Sequence, residues 1–424
     1  MVRDLEKENL QLKRAVDELS ILNEVAAAIS STLGVEKITE LVVGKCTKHI
    51  RAEQGAICLV SEADQTTPLK TFVRTQDTSI RGVPYHFGIS LTGWMLKNQK
   101  PLLINDLSTD DRFKGIERDS GNIRSLLAVP LKLKNKMIGV LCLFNKKDNS
   151  DFTSEDLRLL TIIAIQSSQT IENARLYEEE QKLLILEDDL RTARNIQQAL
   201  LPKTNPHMED MDICGHYVPA RQVGGDYYDF IQIDDSHLGI AIADVSGKGT
   251  SAALLMANLQ ATLRGQASIN PSVRDTVSKV NLMISRSVEA GKFITLFYGI
   301  LDSKNKTFTF TNAGHNHPIL LNRDGNIQTL EKGGTILGIF GDTLYEEGTV
   351  QLKPGDLLIL YTDGITEAMN EKEELYKEER VIKMLQTNKD ISAEKLSRKI
   401  VEDVLSFQGN LPQGDDITLV LIKT

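Results

Sequence analysis

The chain has 424 residues, enough for two or three domains. Its 41% hydrophobic and 25% charged residues are ordinary for a folded protein and exclude collagen-like, mucin-like and wholly disordered chains. A net charge of −9 argues against nucleic-acid binding as the main task, because duplex binding needs a dense basic footprint.

No run of about 18 apolar residues exists, so no transmembrane helix is expected. The richest stretch, 157–171, is interrupted by Arg158, Gln166, Ser167, Ser168 and Gln169. The opening residues Arg3, Asp4, Glu6, Lys7 and Glu8 do not suit a secretory signal. Cys46, Cys58, Cys142 and Cys214 are far apart, with no CxxC pair. That spacing gives zinc and dithiol chemistry little support and fits a reducing, cytoplasmic setting.

In chain order, residues 1–20 read as a coiled coil. Val2, Asn9 and Val16 occupy one seam position and Leu5, Leu12 and Leu19 the other, with charges between. β-branched or polar residues at one position and leucine at the other favour a parallel two-stranded coil, hence a homodimer. Residues 21–170 alternate between helices and strands. Helices are predicted over 21–33, 35–50, 90–97 and 154–171, and strands over 55–61, 69–74, 126–133 and 137–145. Residues 171–205 carry a second heptad seam of Leu176, Leu183, Leu186, Leu190, Ala193 and Leu200, with Glu179 and Gln197 as polar interruptions. Pro202 and Pro206 end it, since proline cannot continue a helix interior.

Residues 206–424 form a third pattern. Strands are predicted over 215–219, 228–233, 237–244, 293–302, 307–313, 319–322, 357–362 and 417–422, and helices over 250–268, 273–289, 377–386 and 392–407. Strands joined by short turns favour antiparallel sheets with helices outside, an α+β layering.

Acidic residues recur at the ends of apolar strands in this segment. Asp226 and Asp229 open one strand, Asp244 closes another, Asp363 closes a third, and Asp415 and Asp416 begin the last. A carboxylate at the mouth of a buried strand is costly unless paired or metal-bound. A single Asp-Gly is most often only a turn, but four acidic strand ends together suggest one centre. Oxygen ligands without thiolates suit Mg²⁺ or Mn²⁺. Two such ions about 3.5–4 Å apart could share a carboxylate and activate a water for in-line attack on phosphorus.

These residues carry a resemblance. VGGDYYD (223–229), ADVSGKG (243–249), TNAGHNHP (311–318), YTDGITEA (361–368) and GDDIT (414–418) resemble, in order and spacing, the PPM-type (protein phosphatase 2C-like) serine/threonine phosphatases of the stage-II-sporulation-E-like bacterial subgroup. The resemblance implies an antiparallel β-sandwich flanked by helices, with two Mn²⁺ or Mg²⁺ ions between the sheets. By motif position, Asp244 resembles the bridging ligand and the Val245 carbonyl a backbone ligand. Asp363 and Asp415 resemble ligands of one ion and Asp226 of the other. Asp229 and Asp416 compete with Asp226 and Asp415 for these roles, and Glu367 would hold water. The subgroup carries a switch helix ending in Leu-Leu-Pro, here Leu200-Leu201-Pro202. The implied substrate is a phosphorylated anti-sigma-factor antagonist in a partner-switching pathway.

Residues 21–170 resemble a GAF sensor domain through SLTGWML (90–96), SLLAVPLKLKNKMIGVLCLFNK (125–146) and FTSEDLRLL (152–160). Asn145, Lys146, Phe152 and Asp156 partly match a motif of cyclic-nucleotide-binding members. Leu157 stands where that motif ends in an acid, so the ligand stays open and a Lys146–Asp156 structural ion pair is expected. Tyr85, Phe87 and Trp94 could line a pocket but read mainly as core. The expected organisation is a coiled-coil helix (1–20), a GAF domain (21–170), a coiled-coil linker and switch helix (171–205) and a phosphatase domain (206–424).

Other readings are weaker. Ser246-Gly247-Lys248-Gly249-Thr250 lacks the earlier glycine and the hydroxyl after lysine of a phosphate loop. His315 and His317 have no third nitrogen or sulfur ligand nearby. Arg221 could grip phosphate through its guanidinium or stand simply solvated. The runner-up function is an inactive phosphatase-like domain that sequesters a partner, and nucleotide cyclisation ranks below it.

Overall fold

The computed structural model describes residues 34–60, 69–75, 89–113, 123–134, 136–270, 272–289 and 291–424. The coiled coil and helix expected over 1–33, and Tyr85 and Phe87, lie outside them. The chain divides into two compact units, with the boundary between Ile185 and Leu186.

The N-terminal unit is built on a five-stranded antiparallel sheet in the order β2-β1-β5-β4-β3. Its strands are β1 (Ala52–Val60), β2 (Leu69–Thr75), β3 (Leu102–Ile104), β4 (Leu126–Leu133) and β5 (Lys136–Lys146). Successive side chains on a strand point to opposite faces, and β5 uses both. Leu141 and Leu143 pack with Val42, Val43 and Cys46 of α1 (Val35–Ile50) and with Leu160 and Ile163 of α3 (Ser154–Leu200). Val140, Cys142 and Phe144 face Met95 of α2 (Ile89–Asn98) and Phe113. Trp94 packs at the edge of that second cluster, its ring 6.1 Å from that of Phe113.

Asn145 adopts φ 50° and is buried. Its carbonyl oxygen accepts from the backbone N–H of Arg124 at 2.7 Å, and its amide donates to Glu53 at 2.9 Å. Lys146 pairs with Asp156, whose carboxylate also accepts from the Thr153 N–H at 2.8 Å at the start of α3. The expected ion pair thus pins the helix start to β5.

The C-terminal unit has two antiparallel sheets. One holds β7 (Tyr227–Gln232), β8 (His237–Val245), β9 (Ile294–Asp302) and β10 (Thr307–Ala313), extended by β13 (Gly333–Gly334) and β14 (Gly348–Gln351). The other runs β12-β11-β15-β16-β6, from β6 (Asp212–Val218), β11 (Ile319–Leu321), β12 (Ile327–Thr329), β15 (Leu357–Tyr361) and β16 (Ile417–Lys423). Period-two alternation sorts β15 between two cores. Leu358 and Leu360 share a cluster with Ile240, Ile242 and Phe297 of the first sheet. Leu357, Ile359 and Tyr361 face Val381 of α7 (Glu378–Thr387) and Ile400 and Val404 of α8 (Ala393–Gln408). Helices α4 (Thr250–Ala267) and α5 (Val273–Ser285) cover the first sheet through Met256, Leu259, Leu263, Val277 and Val280. The expected α+β sandwich with flanking helices is the observed architecture.

Three details differ. The helices expected on either side of residue 171 are one unbroken helix, because apolar periodicity and good helix formers continue across that point. Strands β3, β12, β13 and β14 were not foreseen. At two to four residues, they are too short to show a periodic pattern. The helix begun at Val273 ends at Ser285 rather than residue 289.

Candidate active site

Antiparallel pairing alone gathers the acids. Tyr227 pairs with Ala243, so the start of β7, preceded by Asp226, lies beside the end of β8, which carries Asp244. In the other sheet Tyr361 pairs with Leu419, which puts Asp415 and Asp416 before β16 beside Asp363 after β15. Asp363 opens the single turn α6 (Asp363–Thr366). The two sheets meet at Asp226, whose Oδ2 accepts from Thr362 Oγ1 at 2.8 Å and from Thr418 Oγ1.

Carboxyls crowded this way oppose one another's ionisation. Burial, then the charges of Asp244 and Asp416, hold Asp226 well above the usual carboxylate range. Burial, then Asp363 and Asp415, push Asp244 up to about 7, while a hydrogen bond with Asp226 opposes the shift. Burial, then Asp415 and Glu367, raise Asp363, against the Gly364 N–H and Lys248. Glu367 itself is exposed, and its N–H donates to the Asp363 carbonyl at 2.7 Å.

The residues fit the divalent cations that the motifs imply. The donors are hard oxygens, and the excess negative charge needs a counter-charge. Backbone also approaches closely. A Cβ on Gly225 would stand 2.9 Å from the Val245 carbonyl oxygen and 3.6 Å from Asp244 Oδ1. Among the described residues, no three acidic, histidine or cysteine side chains ring one point closely enough to hold an ion alone.

The two competing acids have other partners. Asp229 is fully buried and accepts two bonds from Arg264, at 2.7 and 2.8 Å, and one from Tyr227 Oη at 2.6 Å. Asp416 accepts from the N–H groups of Ala220 and Gly225, both at 2.8 Å, and so shapes the loop that presents Asp226. Asp415 Oδ2 meets Lys248 Nζ at 2.8 Å. Exposed Arg221 lines a small cleft with Gly225, Gly247, Lys248 and Asp415. His317 is exposed, whereas His315 is buried.

Sequence reasoning missed the partners that shape the site. Thr362 and Thr418 have no motif signal of their own beyond adjacency to acids. Gln197 of α3 had one: it interrupts the leucine seam. Its side chain is buried and grips Gly224 in both directions, donating to the carbonyl at 2.7 Å and accepting from the N–H at 3.1 Å.

Comparison with known proteins agrees with the geometry. Residues 234–424 match the family model of stage II sporulation protein E (SpoIIE), and residues 32–172 match that of the GAF domain. The chain is 32% identical over 254 residues to phosphoserine phosphatase RsbU of Bacillus subtilis (strain 168), covering 58% of this chain and 74% of that protein. The chain belongs to the SpoIIE family of serine phosphatases. It is a protein serine phosphatase that carries a GAF domain. The phosphatase is also 28% identical over 182 residues to phosphoserine phosphatase RsbP of the same organism, covering 42% of this chain and 45% of RsbP. The SiaA-PP2C domain of Pseudomonas aeruginosa superposes with a TM-score of 0.51 at 22% identity, covering 57% of this chain and 98% of that domain, a likeness of fold.

Proposed function

We propose that the enzyme uses two Mg²⁺ or Mn²⁺ ions to hydrolyse phosphoserine on a small partner protein of the anti-sigma-factor-antagonist type. The cluster of mutually destabilised carboxyls at the joined strand ends carries this reading. Asp244 would bridge the ions, with the Val245 carbonyl as a backbone ligand. Asp363 and Asp415 would serve one ion and Asp226 the other. Asp229 and Asp416, already saturated with hydrogen bonds, would keep the surrounding loops in place. The bound ions would supply Lewis acidity and lower the pKa of water. Arg221 would orient the phosphoryl group through bidentate hydrogen bonds. Thr362 and Thr418 would hold the Asp226 carboxylate toward the site.

The Gln197 grip supports a switch role for the end of α3, because the helix touches the loop that presents Asp226. The GAF domain, responding to an unidentified ligand or activator, would bias that contact in a cytoplasmic homodimer. No helix among the described residues is long and apolar enough to cross a membrane. Leu176, Leu183 and Leu186 of α3 are exposed in the single chain and would form the dimer seam.

The test is phosphate release from a phosphoserine protein. We expect turnover with Mn²⁺, none with chelator, and a loss of at least about a thousandfold in Asp244→Asn and Asp363→Asn. Undiminished Mn²⁺-dependent turnover by either variant would remove the assignment.

A further inference from the structure

His315 lies in the turn that follows β10. Gly314 before it takes φ 70°. The Asn312 side chain fixes the His315 backbone on both sides, accepting from its N–H at 2.7 Å and donating to its carbonyl at 2.9 Å. The residue is only 3% exposed. Burial lowers its pKa to about 3, against a contact with the Tyr361 backbone, so the imidazole is neutral at physiological pH.

Its ring meets residues of both sheets, Thr295 in one and the Tyr361 backbone in the other. Nδ1 lies 2.8 Å from Thr295 Oγ1. Thr295 is the β9 residue paired with Asp244, and its hydroxyl makes a long bond of 3.4 Å to the Asp244 carbonyl. Nε2 is buried without a hydrogen-bond partner among the described residues. Tyr361, whose backbone the ring meets, is two residues before Asp363 in the other sheet. Buried polar atoms left unpaired are rare in native proteins and call for a reason.

We propose that His315 is a positioning residue, a spacer from the Thr295–Asp244 end of one sheet to the Tyr361–Asp363 end of the other that sets the separation of the two carboxylates. The inference rests on Asp244 and Asp363 being metal ligands. Groups that orient ligands from behind commonly change metal affinity by roughly 10–100-fold when altered.

The test is an isotherm of Mn²⁺ binding to the full chain, followed by electron paramagnetic resonance of free Mn²⁺, alongside thermal melting. His315→Asn keeps a polar atom for Thr295 but cannot reach Tyr361. It should bind Mn²⁺ roughly 10–100-fold more weakly while remaining folded. Thr295→Val, which cuts the other half of the span, should shift affinity in the same direction, and the double variant should fall short of the summed effects. His317→Asn, in the same turn but exposed, should bind as the parent does.

A folded His315→Asn protein with parental Mn²⁺ affinity would overturn the proposal, whatever its melting temperature. Should that variant not fold, parental affinity in Thr295→Val would overturn it instead. Asp244→Asn separates the two claims. If it loses Mn²⁺ while His315→Asn does not, the spacer role alone fails. If it retains Mn²⁺, the ligand assignment fails and the spacer role with it.

Discussion

Burial and mutual repulsion set the protonation of Asp226, Asp244 and Asp363 before any cation arrives. All three are raised, Asp244 to about 7. A carboxyl whose folded pKa exceeds its unfolded value of 3.8 binds more protons when folded. Its contribution to stability is therefore fully present below that unfolded value and is lost as pH rises toward 7. The cation-free protein should melt at progressively lower temperature from pH 5 to pH 8, and saturating Mg²⁺ should flatten the decline. Calorimetry at several pH values checks this, and a cation-free profile that rises over the window would contradict it. The motif text made these acids visible as a group. It could not separate Asp226 from Asp229, or Asp415 from Asp416, because the difference lies in distant partners. Arg264 and the backbone of 220–225 claim Asp229 and Asp416, and neither is close to them in sequence.

At the scale of elements, α3 and the loop before β7 meet through one side chain. Gly224 fits only as glycine, since a Cβ there would lie 2.0 Å from Asp416 Oδ2 and 2.2 Å from Tyr217 Oη. Gln197 saturates both backbone groups of that glycine. Gln197→Ala would leave a buried donor and acceptor unpaired, at a cost of about 2 kcal/mol. We expect a lower melting temperature together with weaker Mn²⁺ activation; unchanged activation would mean that the contact is packing only. The strands were legible where period-two or continuous apolar runs were long, as in β8 and β9. The start of the switch helix was not, because an α-helix leaves no mark in sequence where it passes from one unit to the next. Its end was marked, by Pro202.

Over the whole molecule, the catalytic assignment depends on long-range pairing: Asp226 and Asp416 are 190 residues apart, yet the Asp226 N–H lies 3.4 Å from the Asp416 carboxylate. Sequence order of the motifs implied such convergence through family resemblance, while the sheet register supplies its physical cause. The proposed dimer is a separate claim at this scale. Light scattering should give a mass near twice the 47.1 kDa of the chain, and Leu183→Glu with Leu186→Glu should return it to one. A parental mass at that of one chain would remove the dimer without touching the chemistry. The most direct test of the chemistry is anomalous diffraction from crystals of the phosphatase soaked in Mn²⁺. The account requires two strong peaks between the sheets, bridged by Asp244 and flanked by Asp226, Asp363 and Asp415. No peak there, or peaks held by Asp229 or Asp416 instead, would contradict it.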